Sequence, residues 1–190
     1  MRLLVTGERV DGHDARPVGQ RVLLHAECAA HVTADRELRQ VGCLDDPDRT
    51  VLMGDSAGGG LALLLAQMVR DEGLAPPAAL LLFSPSLDLS GSGADQPALE
   101  RRDPALSLAT FRVLAPMWAK DVAPNDPRVS PLFADQSNLP PTLVFSGDRD
   151  ILHSDALRLK AANPAVDHRF YPDMLHVWPG MPVPEARPAL

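Results

Sequence analysis

The segment that most constrains this chain begins at Thr50. Thr50-Val51-Leu52-Met53-Gly54 is a short apolar run closed by glycine, the pattern of a buried strand. Asp55-Ser56-Ala57-Gly58-Gly59-Gly60 reads as a tight turn, and Leu61 to Arg70 as a helix apolar on nearly every side, which requires burial. Glu72-Gly73 ends that helix and Pro76-Pro77 forbids its resumption. A strand, a tight turn and a buried helix in direct succession begin a β-α-β unit.

The alternation continues downstream. Ala78 to Phe83 reads as a second buried strand, and Ser84 to Pro104 as a long loop rich in Ser, Gly, Pro and Asp. Leu106 to Lys120 reads as a helix, either continuous or broken near Pro116, and Asp121 to Pro141 as a proline-rich loop. Thr142 to Ser146 is a third strand, leading into the acidic turn Gly147 to Asp150. Ser154 to Ala162 is a helix, and Val166 to Tyr171 a fourth strand near an edge. Strands alternating with helices predict an α/β fold with a mostly parallel sheet and helices on both faces. Sites in such sheets lie beyond the carboxyl ends of the strands. Topology alone therefore brings Ser56, Asp148, Asp150 and His176 to one side of the sheet.

Residues 1–49 show no sustained periodicity. Leu3 to Val5 and Val22 to Leu24 are candidate short strands, and Ala34 to Gln40 a turn or two of helix. The expected organisation is an atypical leader over 1–49 and a core over 50–190 with loop or cap insertions around 85–141. All eight aromatic residues lie from Phe83 onward.

Composition narrows the function classes. The chain has 190 residues, 45% of them apolar, enough for one packed core. A net charge of −7 without any basic cluster argues against a nucleic-acid partner. No apolar run approaches the ~18–20 residues that span a bilayer, and the N-terminus has no secretory pattern, so a cytoplasmic location is expected. Cys28 and Cys43 make no disulfide framework and read as reduced thiols. His25-x-x-Cys28-x-x-His31, with Cys43 beyond, supplies four soft ligands for zinc, but the spacing is not that of a standard finger. Unbound side chains are the preferred reading, and no metal is expected.

The chemistry centres on Gly54-Asp55-Ser56-Ala57-Gly58, a G-x-S-x-G pattern. A serine on a sharp strand-to-helix turn takes a strained backbone, and glycines at 54 and 58 remove the clashes that side chains would cause. The turn lifts the hydroxyl clear of the sheet, and the Ala57 amide becomes the first donor to a developing oxyanion. Asp55 reads as structural. No G-K-[ST] or G-x-G-x-x-G pattern supports a phosphate site. Such a serine needs a base oriented by an acid. His13, His25 and His31 precede Ser56. His153 sits at a helix start, where a surface role is expected, and His168 lies within the last strand. His176, in the loop after that strand, is the expected base. Asp148 and Asp150 compete as the acid.

Gly54 to Gly59, GDSAGG, resembles the nucleophile motif of the hormone-sensitive-lipase-like family of α/β-hydrolases. Ser84 to Ser90 (SPSLDLS), Asp103 to Ser107 (DPALS), Ser130 to Asp135 (SPLFAD) and Leu139 to Thr142 (LPPT) are similar to further family segments, in the same order. Asp150-Ile151-Leu152 followed by Ser154-Asp155 resembles the family's acid motif, which implies Asp150 rather than Asp148. Tyr171 to Trp178 resembles the segment carrying the catalytic histidine. The resemblance implies a cofactor-independent serine esterase acting on short- to medium-chain carboxylic esters, with Ser56, Asp150 and His176 as the triad. Gly54, Asp55, Gly58 and Gly59 would shape the elbow. Phe111, Trp118 and Phe133 read as packing residues, with walls of an acyl pocket as the other use.

The chain departs from the family upstream of Thr50. No HGGG-type motif and no D-Y-R-L-A-P-E segment is present; Val22 to Cys28 is the nearest counterpart and lacks glycine. The N-terminal strands therefore read as truncated or replaced, and each lost oxyanion donor is expected to lower turnover by ~10²–10³-fold. The Thr50 strand is expected to be left as a bare apolar edge, a pairing hazard that leaves a homodimer open. The competing reading is a non-catalytic remnant acting as an interaction protein. The expected substrate is a small-molecule ester.

Overall fold

The computed structural model describes residues 3–9, 18–24, 47–119 and 121–189. Six strands form one sheet in the order β2-β1-β3-β4-β5-β6. β3 (Val51–Asp55), β4 (Ala79–Phe83), β5 (Thr142–Arg149) and β6 (Asp167–Leu175) run parallel, each paired with the next in sequence. β1 (Leu3–Arg9) is antiparallel to both β2 (Val18–Leu24) and β3. Both candidate short strands of the leader thus lie within longer ones. The expectation of a bare β3 edge is corrected: β1 pairs with it from Leu3↔Gly54 to Thr6↔Val51. The backbone groups of β3 are taken up by β1, and the sheet edges fall to β2 and β6.

Register explains the core. Leu52 lies beside Leu80, and Gly54 beside Leu82, which lies beside Val144. These alternate positions share a face and pack with Leu63 and Leu65 of α1 (Ala57–Asp71) and with Ala156 and Leu159 of α4 (His153–Ala162). Leu52, Leu63, Leu65, Leu80 and Leu82 are wholly buried. The intervening residues of β3 and β4 are only half-buried, so these strands alternate rather than being buried throughout. On the other face Phe83 stacks on Phe145 at 5.4 Å, Trp178 meets Phe145 edge-on at 6.2 Å, and Tyr171 leans on Trp178 at 4.4 Å.

The long loop after β4 contains a short helix, α2 (Gln96–Glu100). α3 (Leu108–Ala119) runs through Pro116 as the continuous alternative. Proline removes one donor, and the carbonyl it strands, that of Arg112, sits on an exposed turn where water can bind it. A four-residue helix, α5 (Ala186–Ala189), follows the turn Trp178–Gly180. Ala34 to Gln40, His13, His25, Cys28, His31 and Cys43 lie outside the described residues, and the zinc reading with them. Among the described residues no helix is long and apolar enough to cross a membrane.

Candidate active site

β3 ends at Asp55 and α1 begins at Ala57, so Ser56 alone makes the reversal, with φ 53° and ψ −125°. A non-glycine residue held there stores on the order of 1–3 kcal/mol, which its surroundings must over-determine. They do so through the backbone. The Ser56 N–H donates to the Phe83 carbonyl at 3.0 Å, and the Ser56 carbonyl accepts from Gly59 (3.0 Å), Gly60 (3.2 Å) and Ser86 (2.9 Å). A Cβ at residue 54 would collide with the Gly58 carbonyl, and one at residue 59 would lie 2.8 Å from the Pro85 Cβ. Gly54 and Gly59 thus permit the close passage of strand, helix and the loop after β4. Ala57 opens α1, where the first N–H groups have no acceptor within the helix.

Asp150 follows β5 and His176 follows β6 directly. The Asp150 carboxylate is wholly buried; Oδ2 lies 3.0 Å from His176 Nδ1, and Oδ1 accepts from the Leu152 amide at 2.9 Å. Asp148 does not take part in this pair. Its Oδ1 accepts from the Asp173 amide at 2.7 Å and its Oδ2 from Arg102 at 2.6 Å, while Arg102 also reaches Asp173 at 3.0 Å. Burial opposes ionisation of Asp148, yet the Asp173 amide and Arg102 outweigh it and hold the carboxyl below the usual range. The two acids of one turn therefore do different things: Asp150 meets the imidazole, and Asp148 clamps the strand that delivers it.

Further residues frame the site without having been singled out one by one in the sequence. Asp103 Oδ2 accepts from the Ile151 amide at 2.9 Å, fixing the turn beside Asp150. A Cβ at Gly147 would collide with the Met174 carbonyl, so glycine is what lets β6 close on β5 where their register shifts. Ser84 and Asp155 are completely buried, and each binds backbone amides. DPALS and SPSLDLS carried the signal for two of these residues, but only as motifs.

A pocket of about 300 Å³ opens at the elbow, lined by Ser56 and Ala57 and walled chiefly by Leu89, Phe111, Leu114 and Trp118. Phe111 and Trp118 are thus pocket walls. Phe133 is not; the Arg158 guanidinium lies 5.6 Å over its ring. The expectation of a surface role for His153 is corrected. It is buried, with Nδ1 2.8 Å from Ser146 Oγ, and that hydroxyl is also 2.7 Å from His168 Nε2. Helix α4 begins at His153 and turns it onto β5 and β6. Burial holds both imidazoles below their ordinary pKa.

A mostly parallel sheet with a serine elbow after one strand, an acidic residue after another and a histidine after the last defines the α/β-hydrolase class. The sequence profile of the alpha/beta hydrolase fold family matches residues 25–180, and the chain belongs to the hormone-sensitive-lipase-like α/β-hydrolases. It is 39% identical over 152 residues to an acetyl-hydrolase of Streptomyces hygroscopicus, covering 77% of this chain and 50% of the relative. An esterase of Acinetobacter venetianus is 34% identical over 155 residues, covering 76% and 50%. Among solved structures, the hormone-sensitive-lipase homologue EstE7 from a metagenome library superposes with a TM-score of 0.74 at 30% identity, covering 84% of this chain and 57% of that one. An esterase of the bacterial hormone-sensitive lipase family gives 0.72 at 34% identity, covering 83% and 55%. The chain spans about half the length of the curated relatives it matches.

Proposed function

We propose that this chain carries the catalytic machinery of a serine carboxylic ester hydrolase. Ser56 attacks the ester carbonyl, and His176 takes its proton. Asp150 orients the imidazole through Nδ1 and stabilises its positive charge. The Ala57 amide donates to the tetrahedral oxyanion, the alcohol leaves with the proton from His176, and water then releases the acid by the same steps in reverse roles. The apolar pocket beside Ser56 takes the acyl chain, which suits a short- to medium-chain ester, and the scheme calls for no cofactor. The observation that carries the reading is the buried Asp150 carboxylate at 3.0 Å from His176 Nδ1, on the same side of the sheet as a serine held at φ 53°. The relatives' names, acetyl-hydrolase and esterase, support the same class. Hydrolysis of p-nitrophenyl acetate and butyrate by the purified protein, with Ser56→Ala alongside, tests it. The expected result is turnover lost in the variant; equal rates refute serine catalysis.

A further inference from the structure

Only His176 and Val177 lie between the end of β6 at Leu175 and the turn Trp178–Gly180, so besides the Asp150 contact at Nδ1 the ring's position depends on how the chain is held on either side. Before it, Asp148 fixes the Asp173 amide. After it, Val177 adopts φ 55° and ψ 30°, a left-handed conformation that is costly for a β-branched residue. Its carbonyl accepts from the Gly180 amide of the following turn at 3.0 Å, and a side chain from another strand end ties its other backbone group. Its N–H donates to Ser84 Oγ at 3.0 Å, across 93 residues of sequence.

Ser84 is an unusual anchor. It is completely buried, its own φ is 45°, and its N–H donates to the Phe145 carbonyl at 2.8 Å. Its neighbours hold the other partner in the site: Phe83 accepts from the Ser56 amide, and the Ser86 amide donates to the Ser56 carbonyl. Residues 83–86 thus grip the nucleophile residue at two backbone atoms and the base segment at one. Two left-handed residues, 84 and 177, joined by one hydroxyl are a short rigid link between Ser56 and His176.

We propose that Ser84 is a positioning residue, whose hydroxyl sets the imidazole of His176 relative to Ser56 by holding the Val177 amide. This rests on the serine hydrolase reading for its kinetic consequences, though not for the geometry itself. Removing the hydroxyl frees Val177 to leave the left-handed region and lets His176 drift from the attacking oxygen. A displacement near 1 Å at a reacting group costs about 10- to 100-fold in rate.

The test compares Ser84→Ala, Ser84→Gly and Ser84→Cys with the parent chain. Glycine removes the backbone strain at φ 45° along with the hydroxyl, whereas cysteine keeps the volume and a weaker acceptor. On p-nitrophenyl butyrate, kcat should fall about 10- to 100-fold in the alanine and glycine variants, with KM within about twofold and a smaller loss for cysteine. In parallel, NMR of the histidine ring follows the His176 Nδ1–H resonance and its titration, which needs no turnover. That resonance should shift or vanish in the alanine and glycine variants and persist in the cysteine one. Wild-type kcat together with an unchanged His176 resonance in both hydroxyl-free variants overturns the proposal. So does loss in alanine alone with recovery in glycine, which would assign the effect to backbone strain. If the parent chain shows no Ser56-dependent turnover, the hydrolase reading fails, and the resonance still decides for or against Ser84.

Discussion

Replacing Asp155 with asparagine isolates one buried proton. Asp155 lies in the first turn of α4 and is completely buried. Its Oδ2 accepts from the Leu87 and Asp88 amides at 2.8 and 3.0 Å, while Oδ1 has no hydrogen-bond partner and lies 3.7 Å from Arg158 Nη1. Burial pushes its pKa from 3.8 up to about 7; the two amides and Arg158 oppose the shift, and the buried charge of Asp88 adds to it. The folded state therefore holds a proton that the unfolded chain releases across that window. Where the folded state binds more protons, stability falls as pH rises, here from about pH 4 to about pH 7. At 1.36 kcal/mol per unit, a shift of about three units amounts to about 4 kcal/mol. His153 and His168 act in the opposite direction: burial lowers both, so their contribution grows as pH rises toward the unfolded value of 6.5. The parent curve alone mixes these effects, but the difference between parent and Asp155→Asn does not. Urea unfolding at several pH values from about 4.5 to 8 gives that difference. Asparagine keeps one oxygen for the two amides and cannot ionise. The variant should gain on the parent by a few kcal/mol between the ends of the range. A gap that stays constant with pH refutes the neutral, buried Asp155.

Two other perturbations probe the site. Gly54→Ala puts a Cβ 2.7 Å from the Gly59 nitrogen, where ordinary contact begins at 3.4 Å, and closer still to the Gly58 carbonyl. The elbow must open by at least about 0.7 Å, so labelling of Ser56 by a fluorophosphonate should slow by about 100-fold; labelling at the parent rate would refute this account of the glycine. Asp150→Asn and Asp148→Ala separate the two acids of one turn: the first should lower kcat by about 10³–10⁴-fold through the wrong imidazole tautomer. The second should lower it only about tenfold by loosening Asp173. Equal losses would refute the division of roles.

Much of the site was legible because its requirements are local. The elbow is written in consecutive residues, since an apolar strand, a left-handed serine between glycines and an apolar helix are short-range necessities. The carboxylate partner of His176 was legible only in part. Asp148 and Asp150 stand two residues apart in the same turn, and spacing cannot say which carboxylate meets a histidine 26 residues away. His153 was misjudged for a related reason: a polar residue at a helix start resembles a surface cap, and only the packing of α4 onto β5 and β6 buries it. Pro116 did not break α3, where the carbonyl it strands belongs to an exposed residue, Arg112.

The alternation of strands and helices, the strained serine and the side of the sheet on which reactive groups gather are local properties of the chain, because periodicity and glycine placement act over a few residues. Tertiary structure decided the rest. It paired β1 with the edge that β3 would have left bare, and gave Asp150 to His176 and Asp148 to Asp173. It also brought Ser84 to Val177 across 93 residues. Those are contacts between strand ends, and which ends meet is fixed by sheet order and register, quantities that no local stretch of chain contains.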